Sequence, residues 1–149
     1  MFDLQSQNNY NLFLERINNL SENSAAKWGK MDVSQMLAHC SIAFEASLGE
    51  LELKRGFLSY LIGGFMKGMA TSSKPFSRNS PTHEKLVVTV PHNFDAEKSR
   101  LINLLNRFHQ AGLQGITKKP HAFFGRLTPE QWNLNMGKHL DHHLQQFGV

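Results

Sequence analysis

The stretch TPEQWNLNMGKHLDHHLQQFG, residues 128–148, decides the fold. It opens on Thr128, whose hydroxyl can cap a helix N-terminus. Pro129 follows at the first helical position, where its missing N–H costs nothing. Gln131 stands three residues after the cap and completes a capping box. Trp132, Met136, Leu140, Leu144 and Phe147 then recur at spacings of three and four, the period of an amphipathic helix. Inside this helix His139 and His143 are four residues apart and share one face. At about 100° per residue, His139, His143, Trp132, Met136 and Phe147 fall within an arc of about 80°. His142 falls about 60° to the other side of His139, beside Asn135 and Gln146 on the polar arc, where exposure is expected.

Three further segments carry the same period. The first holds Tyr10, Phe13, Leu14, Ile17 and Leu20. The second opens at Asp32 as N-cap with Gln35 as its capping-box partner, continues through Met36, Leu37, Ala43, Phe44 and Leu48, and stops at Gly49. The third opens near Asn93, carries Leu101, Leu104, Leu105 and Phe108, and ends at Gly112. Between the second and third lies a long excursion. Residues 55–69 read as a short glycine-weakened helix, residues 71–83 as loop, and KLVVTV, residues 85–90, as one extended strand. One strand builds no sheet, so the expected class is all-α: a four-helix bundle in a single domain over 1–149. The long second connection lets helices two and three run parallel.

Composition fits that class. The chain has 149 residues, enough to bury a core without disulfides or structural metal, and its single cysteine excludes an intramolecular disulfide. Hydrophobic residues at 40% argue against intrinsic disorder. The net charge of +4 is modest and its carriers are scattered, Lys118-Lys119 being the largest cluster, which argues against nucleic acid as a partner. The most apolar run, FLSYLIGGFM at residues 57–66, is too short for a membrane span, which needs about 20 residues. The N-terminus has an early Asp3 and no signal-peptide pattern, so a cytoplasmic location is expected.

Histidine is the residue in excess, with 8 copies against 12 acidic residues. An HxxxH pair taken alone is more often a His-rich polar face than a ligand pair. His39 changes that balance, because it sits within the apolar stretch MLAHCSIAF of helix two, and a bundle packs such faces against one another. His39, His139 and His143 are therefore the candidate metal ligands. Three neutral imidazoles leave a coordination position open, the pattern of a catalytic zinc-type site. Cys40 adjoins His39 but points about 100° away, and reads as a buried thiol. His83, His92 and His121 flank prolines or loop residues and are expected to be exposed, while His109, beside Phe108, is expected to be partly buried. No Glu-x-x-His pair is present, which argues against a di-iron carboxylate bundle. There is likewise no GxSxG, no P-loop and no dinucleotide-binding glycine pattern.

Two stretches, WGKMDVSQMLAHC at 28–40 and HAFFGRLTPEQWNLNMGKHLDHHLQQFG at 121–148, resemble the DinB-like superfamily of helical bundles, and within it an uncharacterised bacterial branch. KPFSRNSPTHEKLVV at 74–88 is similar to the branch more loosely. The resemblance implies a bundle of up-down-down-up course and one divalent metal held by three histidines at one end of a pocket. Nickel or zinc is the implied metal, with iron or manganese as further options. It also implies thiol S-transferase or isomerase chemistry with a low-molecular-weight thiol as cosubstrate, a small-molecule substrate and a homodimer.

On that reading His142 is a proton shuttle or outer neighbour of the metal, and Arg126 or Lys138 meets an anionic cosubstrate. The competing readings are a metal-dependent hydrolase and a non-enzymatic stress-response or binding module. In the latter the metal is structural or absent and the excursion at 55–90 binds a partner.

Overall fold

The computed structural model describes residues 2–54, 63, 67–68, 71–72, 74–78 and 86–149. Four long helices form where the apolar periods and caps place them: α1 (Gln7–Asn18), α2 (Val33–Ser47), α3 (Phe94–Ala111) and α4 (Pro129–Gln146). The caps act as their residue types dictate. Asp32 accepts from the Gln35 amide while Gln35 accepts from Asp32, and Thr128 and Gln131 repeat the exchange at the start of α4. Asn93 accepts from Ala96 at the start of α3, and Gly112, at φ +63°, ends that helix in a conformation costly for a side chain with Cβ.

The contacts fix the course of the chain. Tyr10 donates to Asn106 near one end of α1, and Lys98 donates to the Leu20 carbonyl beyond the other, so α1 and α3 are antiparallel. Asn133 meets Leu4 and Asp141 meets Arg16, so α1 and α4 are parallel. Glu45 pairs with Arg100 and Glu50 with Arg107, which sets α2 parallel to α3. Trp28 meets Gln146 while Ser47 meets Thr117, which sets α2 antiparallel to α4. The result is an up-down-down-up four-helix bundle. No helix among the described residues is long and apolar enough to cross a membrane.

The core is one cluster in which Phe13, Ile17, Met36, Leu37, Phe44, Leu105, Phe108, Leu140 and Leu144 interlock. Phe44 and Phe108 meet edge to face at 5.4 Å, the arrangement their ring quadrupoles favour. Helix α2 buries residues nearly all round its axis, from Val33 to Ser47, and is the central element.

Two expectations need correction or fall outside view. The strand expected over residues 85–90 does not form over its described part, 86–90, because no second strand among the described residues supplies a ladder partner. They run beside α2 instead, and their carbonyls serve side chains: Leu86 faces His39 and Val90 faces Gln35. The helix expected over residues 55–69 lies almost wholly outside the described residues, as does His83.

Candidate metal centre

His39 comes from the middle of α2, and His139 and His143 from successive turns of α4. Their ring centroids form a near-equilateral triangle of 4.8, 4.6 and 4.7 Å. One nitrogen from each ring lies within 4.8 Å of the others. Ligand nitrogens of a tetrahedral zinc site stand about 3.3 Å apart, given bonds of about 2.0–2.1 Å, so small rotations of these rings suffice to close on an ion.

The surroundings decide which nitrogens face inward. His39 Nδ1 lies 2.7 Å from the Leu86 carbonyl oxygen. A carbonyl only accepts, so the His39 proton sits on Nδ1 and Nε2 carries a bare lone pair. Gln146 Nε2 donates to the Trp28 carbonyl at 2.6 Å. That bond turns the Gln146 amide oxygen to His143 Nδ1, 2.8 Å away, so His143 also presents Nε2 as a lone pair. These are the outer hydrogen bonds by which proteins orient metal-binding imidazoles. His139 Nε2 lies 2.8 Å from His39 Nε2 and donates to that lone pair, while its Nδ1 is buried with no hydrogen-bond partner among the described residues. The His139 proton on Nε2 is thus held only by another ring of the cluster, and a cation bound there would have to displace it.

Burial holds all three rings neutral. It pushes His39 down against the opposing pull of the Leu86 carbonyl, and pushes His139 well down with help from its histidine neighbours. It lowers His143 to about 3. Neutral imidazole is the form that binds metal. The donor set, the tautomers of His39 and His143 and the neutral charge state fit a divalent cation.

The same shifts predict acid sensitivity. Each of these histidines is depressed in the folded chain and ordinary in the unfolded one. Stability is therefore complete above pH 6.5 and declines as pH falls toward the folded values. The unfolded chain gains about 1.4 kcal/mol per pH unit for each histidine held neutral, so His143 alone accounts for a loss of about 2 kcal/mol at pH 5. Urea unfolding of chelator-treated protein at pH 7 and pH 5 checks this. The midpoint should drop, and drop less in His143→Gln. An unchanged midpoint would contradict the neutral cluster.

The cluster opens onto a cavity of about 980 Å³, at the upper end for small-molecule sites. Its walls include Trp28, Met31, Phe76, Phe123, Phe124 and Trp132. His142 is half-buried in the cavity wall, edge-on to Trp28 at 5.7 Å and to His143 at 5.1 Å. The exposure expected of its arc is corrected, because Asn135 and Gln146 on that arc are buried too. The arc of α4 that carries Asn135, His142 and Gln146 faces the cavity rather than bulk water.

His121, expected to be exposed, also lines the cavity. It accepts from the Phe123 and Phe124 amides and packs 4.8 Å from Trp132. Its place depends on a turn closed by the His121–Gly125 bridge, which histidine counting does not reveal. Gln146 was legible in principle, as a residue three positions beyond His143 on the same face. His92, expected to be exposed, is half-buried because it pairs with Glu97, and His109 is half-buried against Leu4 and Tyr10, as its neighbours suggest. Cys40 is fully buried, and burial raises its thiol pKa, which makes it inert. Arg126 is exposed, Lys138 is buried with its ammonium on the Ser72 carbonyl, and neither lines the cavity.

Residues 3–148 match the family described as Protein of unknown function (DUF1569). No curated protein and no solved structure matches the chain.

Proposed function

The chain belongs to the DUF1569 family, and on that premise we propose that it is a divalent-metal-dependent enzyme for a small, largely apolar substrate. The observation that carries the reading is the convergence of three neutral imidazoles, two with tautomers fixed by outer hydrogen bonds, at the wall of a large cavity. His39, His139 and His143 hold the ion. A divalent cation there supplies Lewis acidity and lowers the pKa of a thiol or water brought to it. Three protein ligands leave room for such a group. Leu86 and Gln146 keep the ligand rings in register, and the aromatic walls exclude bulk water and orient the substrate's apolar body. The DinB-like resemblance of residues 28–40 and 121–148 favours thiol S-transfer, in which a low-molecular-weight thiol attacks an electrophilic carbon and displaces its leaving group.

Elemental analysis of untagged protein, followed by a thiol assay, tests the reading. About one divalent ion per chain is expected. The loaded protein should then consume glutathione in the presence of 1-chloro-2,4-dinitrobenzene, with chloride released, and a chelator should abolish the excess rate. A chain that takes up no divalent ion overturns the metal site. A loaded chain that consumes none of several thiols overturns S-transfer and favours hydrolysis.

A further inference from the structure

Four buried polar atoms on the same cavity have no hydrogen-bond partner among the described residues, Trp28 Nε1, His139 Nδ1, Trp132 Nε1 and Asn135 Oδ1, and the last two stand together on one face of α4. Trp132 is 3% exposed and its indole Nε1 makes no hydrogen bond; Asn135 is 4% exposed and its Oδ1 makes none. Both line the cavity. Leaving a buried donor and a buried acceptor unpaired costs about 1–3 kcal/mol each, so a native fold retains such a pair where something else satisfies it. The two residues are three apart on α4 and share a face, and Asn135 precedes His139 by one turn. The rise of a helix sets Asn135 about 6 Å, and Trp132 about 10 Å, along the axis from His139.

We propose that Trp132 and Asn135 form a recognition subsite for a neutral group that both accepts and donates a hydrogen bond, a carboxamide or hydroxyl, carried on an apolar body that fills the cavity toward the histidines. The inference rests on the function proposed above only in taking the occupant to be the substrate. Neutrality follows from the lining. The charged residues on the cavity, Lys30, Glu52, Lys54 and Lys119, are all exposed and belong to its rim, whereas the wall around Trp132 and Asn135 is uncharged. A buried carboxylate or ammonium there would find no counter-charge among the side chains of that wall, at a cost far above that of a neutral polar group. The donor–acceptor pair also explains why α4 spends buried positions on an indole and an amide where aliphatic residues would pack as well.

The test uses the two indole N–H signals of the chain in nitrogen-15 correlation spectra, assigned with Trp132→Phe. Benzamide, which accepts and donates, should move the Trp132 signal saturably. Acetophenone, which only accepts, should bind at least fivefold more weakly, and ethylbenzene more weakly still. Asn135→Ala should weaken benzamide about tenfold and narrow the gap between benzamide and acetophenone. The ligand series on the unaltered chain decides the matter even if a variant does not fold. A Trp132 signal that benzamide leaves unmoved, or equal binding of all three probes, overturns the subsite. Metal content is read in parallel and should stay unchanged in Asn135→Ala and Trp132→Phe. A chain without metal would overturn the metal site and leave the indole titration to stand or fall separately.

Discussion

His143→Ala is expected to strip the chain of its metal while leaving the bundle folded. On the proposed function His143 supplies one of three ligand nitrogens, and its Nδ1 proton is held by Gln146, itself held by the Trp28 carbonyl. Loss of an outer partner of this kind costs about 10–100-fold in metal affinity, and loss of the ligand should cost more. Gln146→Leu should therefore fall between the unaltered chain and His143→Ala. It removes the acceptor that fixes the tautomer but keeps all three imidazoles. His39→Ala should match His143→Ala, since His39 is equally committed through Leu86. Elemental analysis gives the metal content and far-ultraviolet circular dichroism shows that the helices persist. Full retention of metal in both alanine variants would sink the three-histidine assignment. Equal loss in Gln146→Leu and His143→Ala would show that orientation, rather than ligand count, limits affinity.

The second large effect is on stability. In a helix interior, glycine to alanine ordinarily gains about 1 kcal/mol. At Gly137 the sign should reverse. A Cβ there would stand 1.9 Å from the Phe2 carbonyl oxygen and 2.7 Å from its carbon. The obstacle is backbone, which cannot swing aside as a long side chain can. Relief requires the segment before α1 to lift from α4. That segment buries Phe2 and Leu4 and is tied down by the Leu4 amide on Asn133. Exposing one or two such side chains costs about 1.5–3 kcal/mol each, so Gly137→Ala should destabilise the chain by about 3 kcal/mol. Urea unfolding reads this as a lowered midpoint. Leu4→Ala, damaging in the unaltered chain, should add little in the Gly137→Ala background, because the segment is already displaced. A midpoint that stays or rises would show that the close approach is not maintained in solution.

The helices were legible because their signals are local. Asp32 with Gln35 and Thr128 with Gln131 satisfy backbone donors within one turn, so the capping boxes in the structure are those the sequence spells. The strand expected over residues 85–90 is not formed at 86–90, its described part, for a matching reason. A strand is made by its partner, and the described residues contain none for it. His142 shows the limit of angular arithmetic. Its position relative to His139 is the one the helical period gives, yet the arc it occupies faces a cavity walled by loops from distant parts of the chain rather than solvent. His121 was invisible for the same reason.

The sequence by itself determined four capped helices, their apolar stripes and the pairing of His139 with His143 on one face. Each of these depends on residues within a few turns of one another, where the helical period and cap chemistry are sufficient. Only the tertiary structure decided that His39 meets that pair, that Leu86 and Gln146 set the tautomers of His39 and His143, and that Trp132 Nε1 and Asn135 Oδ1 stand on a cavity with no hydrogen-bond partner among the described residues. Those facts depend on how α2 lies against α4 and on where residues 28–31, 86–88 and 119–124 fold over them. They join groups 47 to 118 positions apart, and no local period carries that information.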